Sequence, residues 1–356
     1  MIRKIQTILV LAVLCFSTRA TAQVQVSHLD DWFFIEAGTP IIIKGTLTSL
    51  PDNTRGIVNL SDLLITDSVI CYGDNLVFGA TPDSVTGQVR MIGDGHQNFG
   101  GTEEIRFSNL YIQNSYDSLN ATTDVSITNH LRLDSGNIDY QNQTVDLMTT
   151  GRMSGETNEK RLYGDPYGKI HLRRPLISGN TYNDIAGTGL DLTIVGNLGS
   201  WTDVWRHNTE HPTVSNGSID RAYFFDANNY GFVSNPGIHY MDSNEYNGQE
   251  EQHFSMYLSE SAGVTWKNKF GTLDSINDKV TTTDLQWMLT NNSMLTIAEN
   301  DCQNPPALSF SRDTVALCGG ASAWLHPSGI TGMESEWSTG TVNQDSIQVS
   351  TAGIYK

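Results

Sequence analysis

Residues 107–156 read FSNLYIQNSYDSLNATTDVSITNHLRLDSGNIDYQNQTVDLMTTGRMSGE. Pairs of apolar residues separated by one position recur through this stretch. Each pair marks one face of a strand, because strand side chains alternate between two faces. Asn, Asp, Gly and Ser fill the intervals, as turns require. The pairs are Leu110/Ile112, Val125/Ile127, Leu131/Leu133 and Val145/Leu147.

The spacing of these pairs predicts a β-solenoid. Val125 and Val145 are twenty residues apart, which is about one coil, and such coils are periodic in sequence. One coil cannot bury its apolar face alone, so neighbouring coils must stack on it. We therefore predict a right-handed parallel β-helix over residues 23–177. Phe34, Ile41–Ile43 and Leu47 are predicted as strands of its cap and first coils. The alternative for this region is a β-sandwich of short strands.

Composition and charge favour an exported all-β protein. Charged residues are only 17% of the chain, and 32 glycines accompany abundant Asn, Thr and Ser. This usage is typical of turn-rich β-proteins. The net charge of -18 argues against a nucleic-acid partner, because phosphate backbones would be repelled. We expect no membrane-spanning segment and identify no cofactor.

Residues 1–22 have the pattern of a cleavable signal peptide. Arg3 and Lys4 precede an apolar run over residues 8–16, and Ala20-Thr21-Ala22 is an A-x-A cleavage site. The mature chain is expected to begin at Gln23. Cys15 follows a leucine rather than a small residue, so a lipid anchor is not expected.

Two further domains are predicted after the solenoid. Residues 178–300 carry aromatic-rich alternating strands at the spacing of a β-sandwich, with Trp266 and Trp287 as core anchors. Residues 301–356 are predicted as a truncated Ig-like domain, in which Trp337 packs near Cys318. Cys302 and Cys318 could be bridged, and Cys71 is predicted as a small buried apolar residue.

A set of structural landmarks, none of them a catalytic motif, runs through the chain. These are GDGHQNFGG (93–101), IRFSNLYIQNS (105–115), TTDVSITNHLRLDSGNI (122–138), GRMSGETNEKRLYG (151–164), Arg206-His207, Ile219 to Tyr223, Tyr240 to Gly248, Gly263 to Trp266 and WSTG (337–340). Together they resemble secreted multi-domain surface proteins of Bacteroidota, which combine a β-solenoid, a β-sandwich and Ig-like modules. The resemblance implies further C-terminal modules and a sorting domain for type IX secretion or gliding-motility-associated export, so the sequence is expected to be partial.

Two patterns suggest metal chemistry and are better explained otherwise. His207 to His211 matches H-x-x-E-H, but zinc binding by that motif requires a helix, and the region is predicted as strand and loop. We interpret Arg206-His207 as a structural loop pair. The stretch from Asp242 to Glu251 could hold Ca²⁺ through Asp242, Asn244, Glu245, Glu250 and Glu251, but a solvated acidic turn is favoured.

Carbohydrate chemistry remains an alternative for the solenoid. β-Helices host polysaccharide lyases and hydrolases, although fold alone does not decide activity. Basic residues that could bind sugar acids are sparse there. Tyr111, Tyr116 and Tyr140 would suggest glycan binding if they lined one exposed face. The pairs Lys160-Arg161 and Arg173-Arg174 are predicted to mark the final coil of the solenoid and the domain junction. The other basic residues noted in the solenoid are Arg106, Arg132 and Arg152.

Six Asp-Ser/Thr-apolar triplets resemble an O-glycosylation acceptor of exported Bacteroidota proteins, and turn-then-strand sequences would produce the same triplets. We predict a secreted or cell-surface structural and adhesion protein without catalytic residues, cofactor or metal. Its expected partners are surface glycans or other cell-surface proteins. The alternative is a carbohydrate-active or glycan-binding protein that uses the β-helix face. The triplets begin at Asp67, Asp83, Asp117, Asp274, Asp313 and Asp345.

Overall fold

A computed structural model describes most of the chain between residues 87 and 300 and short strands on either side. Residues 1–32 lie outside the described part, so the predicted signal peptide has no structural counterpart here. The described ranges are 33–35, 41–43, 47–49, 57–59, 62–65, 69–71, 76–78, 87–165, 167–196, 200–211, 213–214, 217–227, 231–241, 245–282, 286–300, 309–310, 323–325, 327–328 and 347–349.

The protein is all-β, as predicted, and strands far outnumber helical residues in the described part of the chain. Residues 1–298 and 299–356 form two separate compact units. The first unit contains the predicted solenoid and the predicted sandwich region together, and the boundary between those two, at residues 177 and 178, stays a prediction.

The N-terminal part of the first unit is a parallel β-solenoid, which confirms the prediction from the apolar pairs. Two of its strands are long and pass through several sides of one coil. The strands are β1 (Phe33–Ile35), β2 (Ile41–Ile43), β3 (Leu47–Ser49), β4 (Ile57–Asn59), β5 (Asp62–Ile65), β6 (Val69–Cys71), β7 (Leu76–Phe78), β8 (Gln88–Gly93), β9 (Gln97–Gly101), β10 (Ile105–Ala121), β11 (Val125–Asp139), β12 (Thr144–Asp146), β13 (Arg152–Ser154), β14 (Leu162–Tyr163) and β15 (Lys169–Arg174).

Parallel pairing stacks these strands into three columns. The first column contains β1, β4, β7, the first parts of β10 and β11, then β12 and β15. The second contains β2, β5, β8, the middle parts of β10 and β11, and β13. The third contains β3, β6, β9, the last parts of β10 and β11, and β14.

The solenoid interior is filled by the apolar residues that recur once per coil. Ile105, Val125, Val145 and Ile170 are register partners in the first column and are all buried. Each would leave its apolar surface exposed in an isolated coil, so stacking supplies the burial that holds the coils together.

Polar side chains satisfy the backbone where the chain changes direction between columns. Asn129 donates to the Oδ1 of Asn109 over 2.6 Å, and Asn109 donates to the carbonyl of Gly87 over 2.7 Å. The buried Asn114 donates to the carbonyl of Gly95 over 3.0 Å. These bonds supply partners for backbone groups that lie outside the sheet ladders.

The remainder of the first unit is antiparallel and also contains two short 3₁₀ helices, Ile185–Gly187 and Glu251–His253. The strands predicted from aromatic alternation are present. They are β16 (Thr181–Tyr182), β17 (Leu190–Ile194), β18 (Thr202–His207), β19 (Ala222–Ala227), β20 (Gly231–His239), β21 (Phe254–Ser259), β22 (Lys267–Phe270), β23 (Thr272–Asp274), β24 (Lys279–Thr281), β25 (Gln286–Leu289) and β26 (Ser293–Glu299).

These strands form two sheets. One continues from β15 in the order β15-β18-β19-β26-β21-β22, and the other has the order β16-β17-β20-β24-β23, with β25 also paired to β20. Buried residues of both sheets belong to one apolar core. Trp287 is buried in it, whereas Trp266 is only partly buried against a smaller cluster. The sandwich arrangement itself stays a prediction.

The second unit is described only through four short strands. They pair antiparallel as β27 with β29 and as β28 with β30, so the Ig-like fold stays a prediction. Cys302, Cys318 and Trp337 lie outside the described residues, and so does the disulfide hypothesis. The strands are β27 (Ser309–Phe310), β28 (Ala323–Leu325), β29 (Pro327–Ser328) and β30 (Ile347–Val349).

Candidate functional site: a buried Arg–Glu junction

The solenoid and the antiparallel part share strand β15. On one edge β15 pairs parallel with β12, so that Val145 faces Ile170. On its other edge it pairs antiparallel with β18, so that Leu172 faces Val204. Arg173 and Arg174 both lie on this strand, and their place at the domain junction stays a prediction.

A buried ion pair connects the last coil of the solenoid to β18. Arg206 lies on β18 and is fully buried. Its Nη1 and Nη2 each donate to an oxygen of Glu156 over 2.6 Å, and its Nε donates to Asn208 over 2.7 Å. Asn208 in turn donates to the carbonyl of Leu162 on β14, and the Leu162 amide donates to Glu156. Both members of the pair are therefore tied to the same coil.

A second buried pair lies beside the first. Arg221 and Glu245 are 1% and 3% exposed in their side chains, and the Arg221 Nη2 donates to Glu245 over 2.7 Å. Both arginines and the Tyr223 hydroxyl donate to one acceptor, the carbonyl oxygen of Thr188, over distances from 2.5 to 3.4 Å. We call this group of Glu156, Thr188, Arg206, Arg221, Tyr223 and Glu245 the Arg–Glu junction.

The Glu156–Arg206 pair stays ionised despite burial. Burial alone would raise the pKa of Glu156, but the charge and hydrogen bonds of Arg206 outweigh it and hold that pKa below the usual value. Burial and the charge of Arg221 oppose ionisation of Arg206, but Glu156 raises its pKa. The Tyr223 hydroxyl has a pKa raised to about 12, chiefly by burial, so it stays a donor at neutral pH.

Glycine at position 189 leaves room for the Arg221 and Tyr223 side chains. A Cβ at Gly189 would overlap the Arg221 Nη1 and come within 3.1 Å of the Tyr223 hydroxyl. Gly189 and Gly187 both have positive φ, near +80°, which glycine adopts at little cost. A side chain at position 189 would therefore displace Arg221 from the turn that carries the Thr188 carbonyl.

A second polar cluster lies on the outer side of β15. His171 on β15 lies between two carboxylates, with Nδ1 3.1 Å from Asp146 and Nε2 2.8 Å from Asp203. Arg173 donates twice to Asp203, and the Trp205 ring stacks on the imidazole at 5.2 Å. Burial would lower the pKa of His171, but its bonds to Asp146 and Asp203 raise it. This cluster connects β12, β15 and β18.

The arrangement of the Arg–Glu junction suits a structural role. Each buried charge has an opposite charge at hydrogen-bond distance, and burial leaves these groups little contact with solvent. A buried charge that loses its partner is costly, so such pairs favour one relative arrangement of the elements that carry them.

The H-x-x-E-H residues do not lie on one helical face. His207 is the last residue of β18, and His211 follows in a turn where its ring packs against Trp266 at 5.0 Å. Burial lowers the pKa of His207 to about 4, so its imidazole is neutral at physiological pH. The strand-and-loop prediction is confirmed for this motif, but Arg206 and His207 form part of a strand rather than a loop pair.

The acidic stretch around Asp242 does not act as one solvated turn. Asp242 and Asn244 lie outside the described residues, Glu245 is buried on Arg221, and Glu251 accepts a hydrogen bond of 2.6 Å from the Tyr240 hydroxyl. The prediction of a solvated turn was wrong for Glu245, because its carboxylate is the counterion of a buried arginine. Among the described residues, no group of three or more His, Cys, Asp or Glu could hold a metal ion.

The three tyrosines do not share an exposed face. Tyr140 is completely buried, the side chain of Tyr116 lies outside the described part, and Tyr111 is half-buried between arginines. The hypothesis of a tyrosine face is therefore wrong for Tyr140. Its hydroxyl has no hydrogen-bond partner among the described groups, so its ring serves packing.

The junction was not predicted as a site, although its residues were visible in the sequence. Arg206, Arg221, Tyr223 and Glu245 each belong to a landmark segment of the stated resemblance, and Glu156 lies in another. The landmarks are far apart in sequence, with fifty positions between Glu156 and Arg206. The available signal was an arginine in or next to an apolar strand, at Arg206 and Arg221, because unpaired charges are almost never buried.

Comparison with known proteins gives no family and no relative. No protein-family model matches the chain. No curated protein sequence matches it. No solved structure matches it either. Within the described residues, no helix has the length and apolar character needed to cross a bilayer.

Proposed function

We propose that the protein is a non-catalytic secreted or cell-surface structural and adhesion protein. The solenoid acts as a rigid spacer that presents the following β-modules, and the partners are surface glycans or other cell-surface proteins. The proposal includes the export and surface attachment that the resemblance to Bacteroidota proteins implies.

The observation that carries the proposal is the continuous connection through β15. A solenoid joined to a neighbouring module by a flexible linker could not fix its direction, because inter-domain motion is the default where the interface is small. Here β15 pairs with the solenoid on one edge and with β18 on the other, so both parts share one continuous sheet, and the Arg–Glu junction adds buried pairs beside it. These features support transmission of position and force along the chain.

Distance measurements between spin labels test whether the solenoid and the antiparallel part of the first unit are rigidly connected. Labels attached through a keto amino acid at Glu103 and Ile276, both exposed, would report on the two parts of the first unit. We expect one narrow distance distribution, as narrow as that of a control pair at Glu103 and Glu159 within the solenoid. A distribution that is broad or has several maxima only for the first pair would contradict the rigid spacer.

Export and surface location are tested by separate experiments. N-terminal sequencing of the exported protein should begin at Gln23, because the A-x-A site precedes that residue. Protease treatment of intact cells should then remove the protein. Retention of residues 1–22, or protection from external protease, would contradict the surface location.

Glycan binding is the second candidate function, and arginines on the outer solenoid surface favour it. Incubation of the full chain with a panel of polysaccharides, followed by product analysis, separates binding from turnover. Binding without products is expected for an adhesin. Release of oligosaccharides would instead favour the carbohydrate-active enzyme.

A further inference from the structure

Two arginines flank a tyrosine on the outer surface of the second column. Val89 and Met91 of β8, and Leu110 and Ile112 of β10, point into the core. Since strand side chains alternate, the residues between them face outward. Arg90 on β8, Tyr111 on β10 and Arg132 on β11 are register partners on this outer surface. We call these three residues the cationic ladder.

The ladder is ordered by its central ring. The guanidinium carbons of Arg90 and Arg132 lie 5.1 and 5.9 Å from the centroid of the Tyr111 ring, within the range of cation–π attraction. Adjacent strands of a sheet are about 4.8 Å apart, so the two arginines are held roughly 10 Å apart along the solenoid axis. Tyr111 is therefore a positioning residue for two charges.

A neighbouring row extends the positive surface. Arg152 on β13 is exposed and is the register partner of His130 on β11, whose ring contacts the edge of Tyr111. The pKa of His130 is lowered by burial and then by the charges of Arg152 and Arg132. The imidazole thus experiences a positive local field in a chain whose net charge is -18.

The geometry points to a linear polysaccharide that carries carboxylates on its sugar units as the ligand of the cationic ladder and Arg152. This inference rests on the proposed adhesion role and specifies its ligand class. Arg132 is 53% exposed in its side chain, and Asp134 contacts its Nε, which leaves the rest of the guanidinium fork directed to a ligand or to solvent. Two charges held roughly 10 Å apart on one surface, with Arg152 beside them, suit a polymer with several carboxylates better than a single small anion.

The overall acidity of the chain does not prevent this interaction. At physiological ionic strength the Debye length is about 8 Å, so distant carboxylates are largely screened while contacting arginines are not. The same reasoning predicts that affinity falls as salt is added, because contacts on an exposed surface are screened in turn.

Binding of polygalacturonate to the full chain tests the inference, with its methyl ester as the neutral form of the same polymer. We expect binding to the acid and at least about tenfold weaker binding to the ester, since the ester cannot pair with guanidinium groups. Affinity for the acid should decrease between about 0.05 and 0.5 M NaCl.

Two variants with equal charge change locate the site. Arg132→Gln with Arg152→Gln should weaken binding by about tenfold, as expected for the loss of two charge-assisted contacts. Lys267→Gln with Lys269→Gln, on β22, removes the same charge elsewhere and should stay within about twofold of the wild-type affinity. Unchanged thermal unfolding of both variants would exclude misfolding as the cause.

Three results would overturn the inference: no binding to polygalacturonate, equal binding to its ester, or equal loss in both variants. None of them affects the spin-label test, so failure of the ligand assignment and failure of the rigid spacer can be told apart. Tyr111→Leu should weaken binding less than the arginine pair does while keeping its salt dependence, since the charges remain but are less ordered.

Discussion

At the scale of single residues, the protein depends on paired charges that are removed from water. Arg206 and Arg221 lie close enough to share the Thr188 carbonyl, and each would be strongly unfavourable without its carboxylate. Buried ion pairs contribute little net stability, because desolvation of both ions offsets their attraction. Their main effect is to disfavour any arrangement in which Glu156 and Glu245 do not meet their arginines.

Glu156→Gln should therefore destabilise the protein far more than an exposed charge change does. The variant leaves Arg206 buried beside a neutral amide, and we expect a loss of about 3–5 kcal/mol in the free energy of unfolding. Chemical denaturation of the variant and the wild type measures this difference. The exposed pair Lys267–Glu260 supplies the control, and Glu260→Gln should cost less than about 1 kcal/mol.

Replacing both Glu156 and Arg206 distinguishes the effect of charge pairing from the effect of side-chain packing. If Glu156→Leu with Arg206→Met removes both charges, the loss should be smaller than for Glu156→Gln alone, because no unpaired ion remains buried. A double variant that is less stable than the single one would mean that the two side chains contribute mainly through shape.

The His171 cluster should make stability depend on pH. The folded-state pKa of His171 is raised above 6.5, so its protonated form is favoured by folding. Its contribution is fully present below about pH 6.5 and is lost as pH rises through the higher folded-state pKa. Melting temperatures of wild type and His171→Gln should therefore differ most at acidic pH and converge as pH increases.

His96→Gln is the matched control, since His96 is exposed in a turn of the solenoid. Its melting temperature should follow that of the wild type across the same pH range. A His171→Gln curve that runs parallel to the wild-type curve at all pH values would show that the cluster does not couple protonation to folding.

At the scale of elements, β18 covers one of the strand edges at the end of the solenoid. Each column of the solenoid ends in a strand with an outer edge, and exposed edges promote association with other chains. Here β18 occupies the outer edge of β15 in antiparallel register from Ile170 to Arg174. The 3₁₀ turn Ile185–Gly187 also approaches β13, because a Cβ at Gly187 would overlap the Met153 carbonyl oxygen.

Gly187→Ala should accordingly lower the free energy of unfolding more than the same substitution at a glycine with open space around it. Gly187 and Gly248 both have φ of +78°, but a Cβ at Gly248 would have no atom within 4 Å. We expect Gly248→Ala to cost about 1 kcal/mol from backbone strain alone and Gly187→Ala at least about 2 kcal/mol. Denaturant unfolding of both variants makes the comparison, and equal losses would argue against the close contact with β13.

At the scale of the whole molecule, the first unit is completed by a strand near its C-terminal end. β26 lies between β19 and β21 in the sheet that begins at β15. A chain that ends at residue 300 should therefore keep one cooperative unfolding transition. A chain that ends at residue 290 should lose it, because removal of β26 leaves a gap in the middle of that sheet. Calorimetry of both truncated chains checks this expectation, and a retained transition in the shorter chain would contradict it.

The local rules of strand and turn predicted much of the fold. The apolar pairs at positions such as Val125 and Val145 lie in the solenoid core, and the aromatic-rich segments from Ala222 onward form antiparallel strands. These signals are local, since each depends on alternation within a few residues. The sequence also distinguished a strand context from a helical one at His207.

The site was less predictable because it depends on long-range pairing. Nothing in the neighbourhood of Glu156 indicates that its partner is Arg206, and Glu245 was interpreted as solvated because its chain neighbours are polar. Arg90 was overlooked as part of a cationic surface, since its relation to Arg132 appears only when coils are stacked in register.

By itself, the sequence determined the strand class of this protein and many of the residues that fill the solenoid, because alternation is a property of neighbouring positions. Only the tertiary structure decided which charges are buried together, that β15 joins the solenoid and the antiparallel strands in one sheet, and that Arg90, Tyr111 and Arg132 share one surface. Those outcomes depend on register between strands and on contacts across tens of residues. Burial then gives the same Arg or Glu a different role from the one it would have in water.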